Sequence, residues 1–330
     1  MSEKLNFIDL FAGCGGLSEG FYKEGFTALA HVEIEPKACM SLRTRMKYYS
    51  YEDYEKAVLN IDITRDDIIE KIDEIVAGET VHLIIGGPPC QAYSSAGRAR
   101  DPNGMKNDPR NFLFESYVKI LNHYRPDFFV FENVTGILSA EVNGEKIIDK
   151  VFTALSENYK VKFDPELNIL NSCNYGVPQI RHRVIIIGVR KDLPFAPEEM
   201  YSSILKTHYD PEMAESEREN LKKFVTVKDA IGELPFLREG EGEKVIDFKS
   251  NRDNDFLKSI VPIGFDKLKD HVCRHHNDTD VKRYTEMAKN HWSFQELLEK
   301  PPDLRHTPPR VFGNSYVVQW WDLPSRTIIA

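Results

Sequence analysis

The chain has 330 residues, of which 41% are hydrophobic and 29% are charged, and these values are ordinary for a globular protein. No window approaches the roughly 18 uncharged apolar residues of a membrane-spanning helix, so we expect a soluble protein with no membrane partner. The formal net charge of −9 is unfavourable for nonspecific binding of nucleic acid. Any nucleic-acid site must therefore be a local basic patch.

The N-terminus and the cysteines indicate a cytoplasmic protein. No basic segment followed by a signal-type apolar core precedes the first apolar run, so a prokaryotic cytoplasm or nucleoid is the expected location. The cysteines are odd in number and none has CxxC spacing, which argues against a disulfide framework and against structural zinc. We therefore expect reduced thiols and no metal at the five cysteines, Cys14, Cys39, Cys90, Cys173 and Cys273.

From residue 5 to about 190, short apolar runs alternate with longer amphipathic ones, the pattern of a mostly parallel sheet wrapped by helices. Strands are predicted at 5–10, 28–32, 58–61, 81–85, 128–131, 167–170 and 184–189. Helices are predicted at 36–46, 66–76, 112–124 and 145–155, where apolar residues recur at intervals of three and four. The sequence thus predicts a doubly wound α/β domain.

Past Arg190 the composition changes. Prolines at 194, 197 and 211 and a charged stretch at 212–223 replace the regular alternation. We place a boundary near 190, with a first domain at 1–192 and a smaller, loop-rich domain at 193–330.

Three predicted strand ends carry residues suited to a nucleotide-like ligand. The first strand runs into a glycine turn at 13–16 that opens a helix, where backbone can approach a ligand without Cβ obstruction. Glu33 ends the second strand, where a carboxylate can accept hydrogen bonds from ribose hydroxyls. Asp62 ends the third and could accept the exocyclic amine of adenine, while Ile63 covers the ring. A glycine turn alone could be purely structural, but three strand ends point to one crevice.

The fourth strand ends in Gly86-Gly87-Pro88-Pro89-Cys90-Gln91. Two glycines and two prolines cannot continue a strand or enter a helix, so Cys90 should lie at the tip of a rigid extended turn. Buried free cysteines are usually small hydrophobes. At the carboxyl edge of the sheet, however, a thiol beside a ligand crevice can act as a nucleophile once a positive charge stabilises its thiolate.

Two further segments lead toward the same edge. Glu132 follows four apolar residues, so we expect it to be partly desolvated and able to donate a proton, although a carboxylate there could simply cap a turn. Farther along, Gln179, Arg181 and Arg183 alternate before the last strand and should share one side, facing the site or a phosphate. Solvated edge charges are the alternative for these two arginines.

Together, Asp-Leu-Phe-Ala-Gly-Cys-Gly-Gly at 9–16, Gly-Pro-Pro-Cys-Gln at 87–91, Glu-Asn-Val at 132–134 and Gln-Ile-Arg-His-Arg at 179–183 resemble the DNA cytosine-C5 methyltransferase family. The resemblance implies a Rossmann-like catalytic domain with a target-recognition domain after it. The residues it assigns to the S-adenosylmethionine site are Phe11, Gly13, Cys14, Gly15, Gly16, Leu17, Glu33, Ile34, Asp62, Ile63 and Leu113. Those it assigns to catalysis are Cys90, Glu132, Arg181 and Arg183, and those it assigns to the substrate are Pro89, Gln91, Ser94, Asn133 and Gln179.

The resemblance also implies a mechanism and partners. The Cys90 thiolate would add to carbon 6 of a cytosine flipped out of double-stranded DNA, while Glu132 protonates or hydrogen-bonds nitrogen 3 and carbon 5 takes the methyl group. A restriction-modification methylase is the expected class. Residues 321–328 resemble the start of the family's ninth motif, and the family's closing helix is not found after them. This predicts either a second polypeptide that completes the cofactor pocket or a truncated member.

Three other functions are weighed against this one. A transfer RNA cytosine methyltransferase would carry a Cys-Phe-Thr tripeptide, which is absent from the sequence. A nicotinamide-dependent oxidoreductase could share the glycine turn and Glu33 but has no use for the cysteine turn. An inactive or regulatory subunit that needs a partner chain is opposed by the presence of every named catalytic residue.

Overall fold

A computed structural model describes residues 5–51, 53–89, 112–142, 144–300, 303–304 and 317–328. Three predicted site residues, Cys90, Gln91 and Ser94, lie outside these ranges. The chain packs into two compact units. The sheet unit comprises Met1–Leu170 and His182–Leu205, and the second unit comprises Asn171–Arg181 and Lys206–Ala330.

Strands and helices alternate through the described part of the sheet unit, and shorter elements follow. In chain order they are β1 (Asn6–Leu10), α1 (Ser18–Lys23), β2 (Thr27–Glu33), α2 (Pro36–Tyr48), α3 (Tyr54–Ala57), β3 (Val58–Asn60), α4 (Ile68–Val76), β4 (Leu83–Gly86), α5 (Leu113–Tyr124), β5 (Phe128–Val134), β6 (Glu141–Val142), β7 (Glu145–Lys146), α6 (Ile147–Leu155), β8 (Tyr159–Lys160), α7 (Pro165–Asn168), β9 (Ile169–Asn171), β10 (Gln179–Ile180), β11 (His182–Arg190), α8 (Pro197–Ser202), β12 (His208–Tyr209), β13 (Lys222–Lys223), α9 (Val227–Ile231), β14 (Gly242–Asp247), α10 (Asp255–Ile260), β15 (Lys267–Val272), α11 (Asp278–Asn290), α12 (Phe294–Leu298) and β16 (Ser325–Arg326).

The main sheet of the described residues has the order β3-β2-β1-β4-β5-β11-β8, with β9 also paired to β11. The pairs from β3 through β5 are all parallel, and β11 runs antiparallel to β5 and to β8. The carboxyl ends of β1 to β5 therefore share one edge of the sheet. This mixed, largely parallel sheet with helices confirms the predicted doubly wound α/β class.

Both faces of the sheet are covered, which explains why all five residues of β1 are buried. Because side chains alternate along a strand, Phe7 faces a cluster with α1 and α2, whereas Ile8 and Leu10 face a cluster with α4, α5 and α6. The predicted apolar strand runs are thus central strands of a covered parallel sheet.

One predicted strand is wrong in part. Residues 167–168 belong to the short helix α7, and strand β9 begins only at Ile169. The cause is local, because Pro165 occupies the first helical turn and the Asp164 carboxylate accepts a hydrogen bond from the Glu166 amide at 3.0 Å. An apolar run alone could not reveal this cap.

The second unit of the described residues contains the antiparallel pair β14–β15 and the parallel pair β10–β16. Met287, Leu297 and Leu304 form a small buried apolar cluster in this unit. This unit includes residues 171–181, which lie within the first predicted domain, whereas residues 193–205 belong to the sheet unit. The two compact units therefore do not correspond to a single boundary near 190. In the described ranges, no helix has both the length and the apolar character needed to cross a bilayer.

Candidate active site

A cavity of about 540 Å³ lies in the sheet unit at the carboxyl ends of the parallel strands. Its lining combines apolar side chains with two carboxylates and a backbone turn, a set suited to a nucleoside. The lining residues are Phe11, Val32, Glu33, Ile34, Ile61, Asp62, Ile63, Thr64, Gly87, Pro89 and Leu113. Six of the residues predicted for the cofactor line this cavity, together with Pro89, which was predicted for the substrate. The glycine-turn residues 13–17 do not line it.

Four lining residues were missed by the sequence reasoning, namely Val32, Ile61, Thr64 and Gly87. Val32 directly precedes the carboxylate that ends β2, and Ile61 directly precedes Asp62 just after β3. Their positions could have been read from the strand ends, because neighbours of a strand-end residue contribute to the same crevice. The signal for Thr64 was its hydroxyl two residues after Asp62.

Glu33 holds the glycine turn to the end of β2. One carboxylate oxygen accepts the Gly13 amide at 2.8 Å, and the other accepts the Glu35 amide at 2.8 Å. Gly13 and Gly15 have positive φ values of 55° and 85°, and a Cβ at Gly15 would lie 2.6 Å from Leu42 Cδ1. The positive φ at position 15 favours a glycine there, and a Cβ would also require the Leu42 side chain to shift. Each Glu33 oxygen retains a lone pair for a further donor.

A buried polar pair lies on β1 and α1, directly before and after the glycine turn. The Ser18 hydroxyl donates a short hydrogen bond to the Asp9 carboxyl group, which is only 1% exposed. Burial raises the pKa of Asp9 to about 7, the Ser18 hydrogen bond opposes this rise, and the negative charge of Glu33 adds to it. The carboxyl group thus titrates near neutral pH.

His31 on β2 is fully buried and its Nε2 lies 2.5 Å from the Tyr22 hydroxyl on α1. Burial lowers the pKa of His31 to about 4, so the imidazole is neutral at physiological pH. This pair connects β2 to the helix that follows the glycine turn.

Glu132 and Arg183 form an ion pair across the antiparallel strands β5 and β11. Arg183 Nε lies 2.8 Å from Glu132 Oε1, and the two side chains are 20% and 28% exposed. The strand register puts Arg183 opposite Val134 and Ile185 opposite Glu132, so the pair is diagonal. The sequence suggested a desolvated acid, whereas the structure gives this carboxylate a guanidinium partner.

The Gly87-Pro88-Pro89 turn contacts this ion pair. A Cβ on Gly87 would lie 2.8 Å from Glu132 Oε2, so the missing side chain lets the carboxylate approach the turn. Asn133 Nδ2 also donates to the Pro88 carbonyl at 3.2 Å, within the buried interior. Asn133 is therefore hydrogen-bonded to the turn that precedes Cys90 in the sequence, and Glu132 packs against it.

Arg181 and Gln179 belong to the second unit, whereas Arg183 belongs to the sheet unit. The Asn171 side chain accepts the Arg181 amide at 3.2 Å, and Gln179 pairs with Ser325 through β10 and β16. The shared orientation of Gln179, Arg181 and Arg183 stays a prediction. Among the described residues, no group of three or more His, Cys, Asp or Glu side chains is arranged to hold a metal ion.

Comparison with known proteins gives matches over most of the chain. Residues 5–307 match the profile of the family described as C-5 cytosine-specific DNA methylase. Type II methyltransferase M.DdeI of Desulfomicrobium norvegicum is 30% identical over 334 residues, covering 99% of this chain and 72% of that protein. Type II methyltransferase M1.HphI of Haemophilus parahaemolyticus is 34% identical over 297 residues, covering 83% and 68%. A solved structure described as a prophage-encoded DNA modification methyltransferase of E. coli aligns with a TM-score of 0.61 and 25% identity, covering 85% of this chain and 75% of that one.

Proposed function

Because the chain belongs to the C-5 cytosine-specific DNA methylases, we propose that Cys90 is the nucleophile with which it methylates carbon 5 of a cytosine in DNA. The observation that carries this proposal is the contact of Glu132 and Asn133 with the Gly87–Pro89 turn, the residues immediately before Cys90. Pro89 also lines the cavity with Glu33 and Asp62, so the nucleophile follows directly from the wall of the proposed cofactor pocket.

The chemistry assigns a role to each group around Cys90. Carbon 5 of cytosine is a weak nucleophile, and addition of the Cys90 thiolate to carbon 6 moves an electron pair toward carbon 5. In its protonated form Glu132 would donate a hydrogen bond to nitrogen 3 and so favour this addition, while the Arg183 guanidinium, 2.8 Å from Glu132 Oε1, would keep the carboxyl group in place. After methylation, water acting as a base takes the carbon-5 proton, and the electron pair of that C–H bond re-forms the C5–C6 double bond and expels the Cys90 thiolate. A cytosine stacked in a duplex cannot react in this way and must first be flipped out.

We propose that the cavity at the strand ends binds S-adenosylmethionine, which supplies the methyl group when bound. The apolar side chains that line it include Phe11, Ile63 and Leu113, which can pack against the faces of adenine. The carboxylates that line it can accept hydrogen bonds from the ligand. Glu33 would accept from the ribose hydroxyls and Asp62 from the adenine amine. The same carboxylates favour a ligand that carries a sulfonium charge.

The substrate, on this proposal, is a specific sequence in double-stranded DNA. Relatives named Type II methyltransferases support a role in a restriction-modification system. The first predicted domain, 1–192, would carry the chemistry and 193–330 would select the sequence.

Covalent trapping tests the assignment of Cys90. DNA with 5-fluorocytosine at the target position should form an adduct that cannot lose its carbon-5 substituent, and Cys90→Ser should abolish it. Cys273→Ser is the matched control, because Cys273 is a partly exposed thiol in the second unit. Peptide mapping that places the adduct on another cysteine, or an adduct that persists in Cys90→Ser, would reject the assignment.

A further inference from the structure

Thr64 restrains the carboxylate of Asp62, which lies just after β3. Asp62 Oδ1 accepts a hydrogen bond from the Thr64 amide at 2.9 Å and another from the Thr64 hydroxyl at 2.8 Å. Both donors come from one residue two positions along the chain, the geometry of an Asx turn with an added side-chain bond. Both residues also line the strand-end cavity.

The Thr64 amide and the Thr64 hydroxyl restrain the carboxylate to different degrees. A backbone amide alone would leave the carboxylate able to turn about its terminal bond, because that torsion is broad. The hydroxyl adds a second anchor to the same oxygen and so restricts the torsion. No hydrogen bond to the other oxygen, Oδ2, is seen from the described residues, so an acceptor is available to a ligand in the cavity.

We propose that Thr64 is a positioning residue that sets the preference of this site for a purine with a 6-amino group. The proposal rests on the proposed binding of S-adenosylmethionine in the cavity. A fixed, charged acceptor binds a 6-amino group, which donates a hydrogen bond to it. It disfavours a 6-oxo group, because two acceptors that face each other both lack a donor. Thr64 acts through Asp62, because its hydrogen bonds restrict the orientation of the Asp62 carboxylate.

The test compares two ligands that differ at this group and at the neighbouring N1, which carries a proton in the 6-oxo purine. Isothermal titration calorimetry would measure S-adenosylhomocysteine and its 6-oxo analogue, S-inosylhomocysteine, on wild type, Thr64→Val, Thr64→Ala and Thr64→Ser. The ratio of the two affinities should favour the 6-amino ligand in wild type and fall roughly three- to tenfold in Thr64→Val and Thr64→Ala, the range for loss of one hydrogen bond. Thr64→Ser keeps the hydroxyl and should keep the ratio.

The outcomes separate the two levels of the argument. If Thr64→Val and Thr64→Ala weaken both ligands equally, Thr64 only supports the fold of the pocket and the proposal is overturned. If the ratio falls in Thr64→Ser as much as in the other variants, the hydroxyl is not responsible and the proposal fails as well. If wild type binds neither ligand, the proposed cofactor site itself is wrong, and this inference falls with it.

Discussion

Replacement of Asp9 by Asn should make the sheet unit more stable at neutral and alkaline pH. Asp9 is buried on β1, and the pKa of its carboxyl group is raised from 3.8 to about 7, chiefly by burial. Asn has nearly the same shape, stays neutral at every pH, and can accept the Ser18 hydroxyl as the protonated acid does. The substitution thus removes a buried charge without removing volume.

The sign follows from proton binding in the two states. Between pH 3.8 and about 7 the folded protein keeps the Asp9 proton while the unfolded chain loses it, so the free energy of unfolding falls as pH rises. The shift of about three pKa units corresponds to roughly 4 kcal/mol in total. The stability gain of Asp9→Asn over wild type should therefore grow by about 3 kcal/mol from pH 5 to pH 8.5.

Urea unfolding followed by circular dichroism at several pH values would measure this gain. Tryptophan fluorescence would report mainly on the second unit, because all three tryptophans, Trp292, Trp320 and Trp321, lie there. Asp66→Asn, the same substitution at an exposed position, serves as the control. A gain for Asp9→Asn that is the same at pH 5 and pH 8.5 would refute the reasoning.

Three further substitutions test the fold and the site. His31→Gln should remove a loss of stability that wild type suffers in acid. The pKa of His31 is lowered to about 4, so the free energy of unfolding of wild type falls by roughly 3 kcal/mol as pH drops from 6.5 toward 4. Urea melts that show the same acid sensitivity for both proteins would contradict this. Gly188→Ala places a Cβ 1.9 Å from the ring of the fully buried Phe129. The free energy of unfolding should therefore fall by about 1–3 kcal/mol, as measured by thermal unfolding. An unchanged melting temperature would count against this packing. Gly87→Ala drives a methyl group against Glu132 and should slow adduct formation on 5-fluorocytosine DNA by about 100-fold in single-turnover trapping, whereas a wild-type rate would show that the close approach is dispensable.

The sheet could be predicted from the sequence because its strands are short, apolar and separated by amphipathic helices. Residues on β1 are buried on both faces, so the apolar run and the strand nearly coincide. The strand ends then gave the position of the site, since parallel strands direct their carboxyl ends to one edge. Glu33, Asp62 and Pro89 lie in the cavity at that edge.

What escaped prediction depends on register and on side-chain hydrogen bonds. The pairing of Glu132 with Arg183 requires the antiparallel register of β5 and β11, which composition and spacing do not reveal. The contact of Glu33 with the Gly13 amide depends on the conformation of the glycine turn. The hydroxyl of Thr64 could be placed near Asp62 from the sequence, but its two hydrogen bonds to Asp62 are visible only in the folded structure.

The parallel pair β10–β16 makes the second unit discontinuous in sequence. The Ser325 amide donates to the Pro178 carbonyl at 2.9 Å, and the Thr327 hydroxyl donates to the Ile180 carbonyl across a separation of 147 residues. During synthesis, residues 178–180 must wait for nearly the whole of the unit to be translated before they can pair. A fragment that starts at Lys206 would carry Ser325 and Arg326 without their partner strand, with unpaired edge groups that favour aggregation. Attempts to express the second unit alone should therefore join residues 171–181 to the fragment that starts at Lys206.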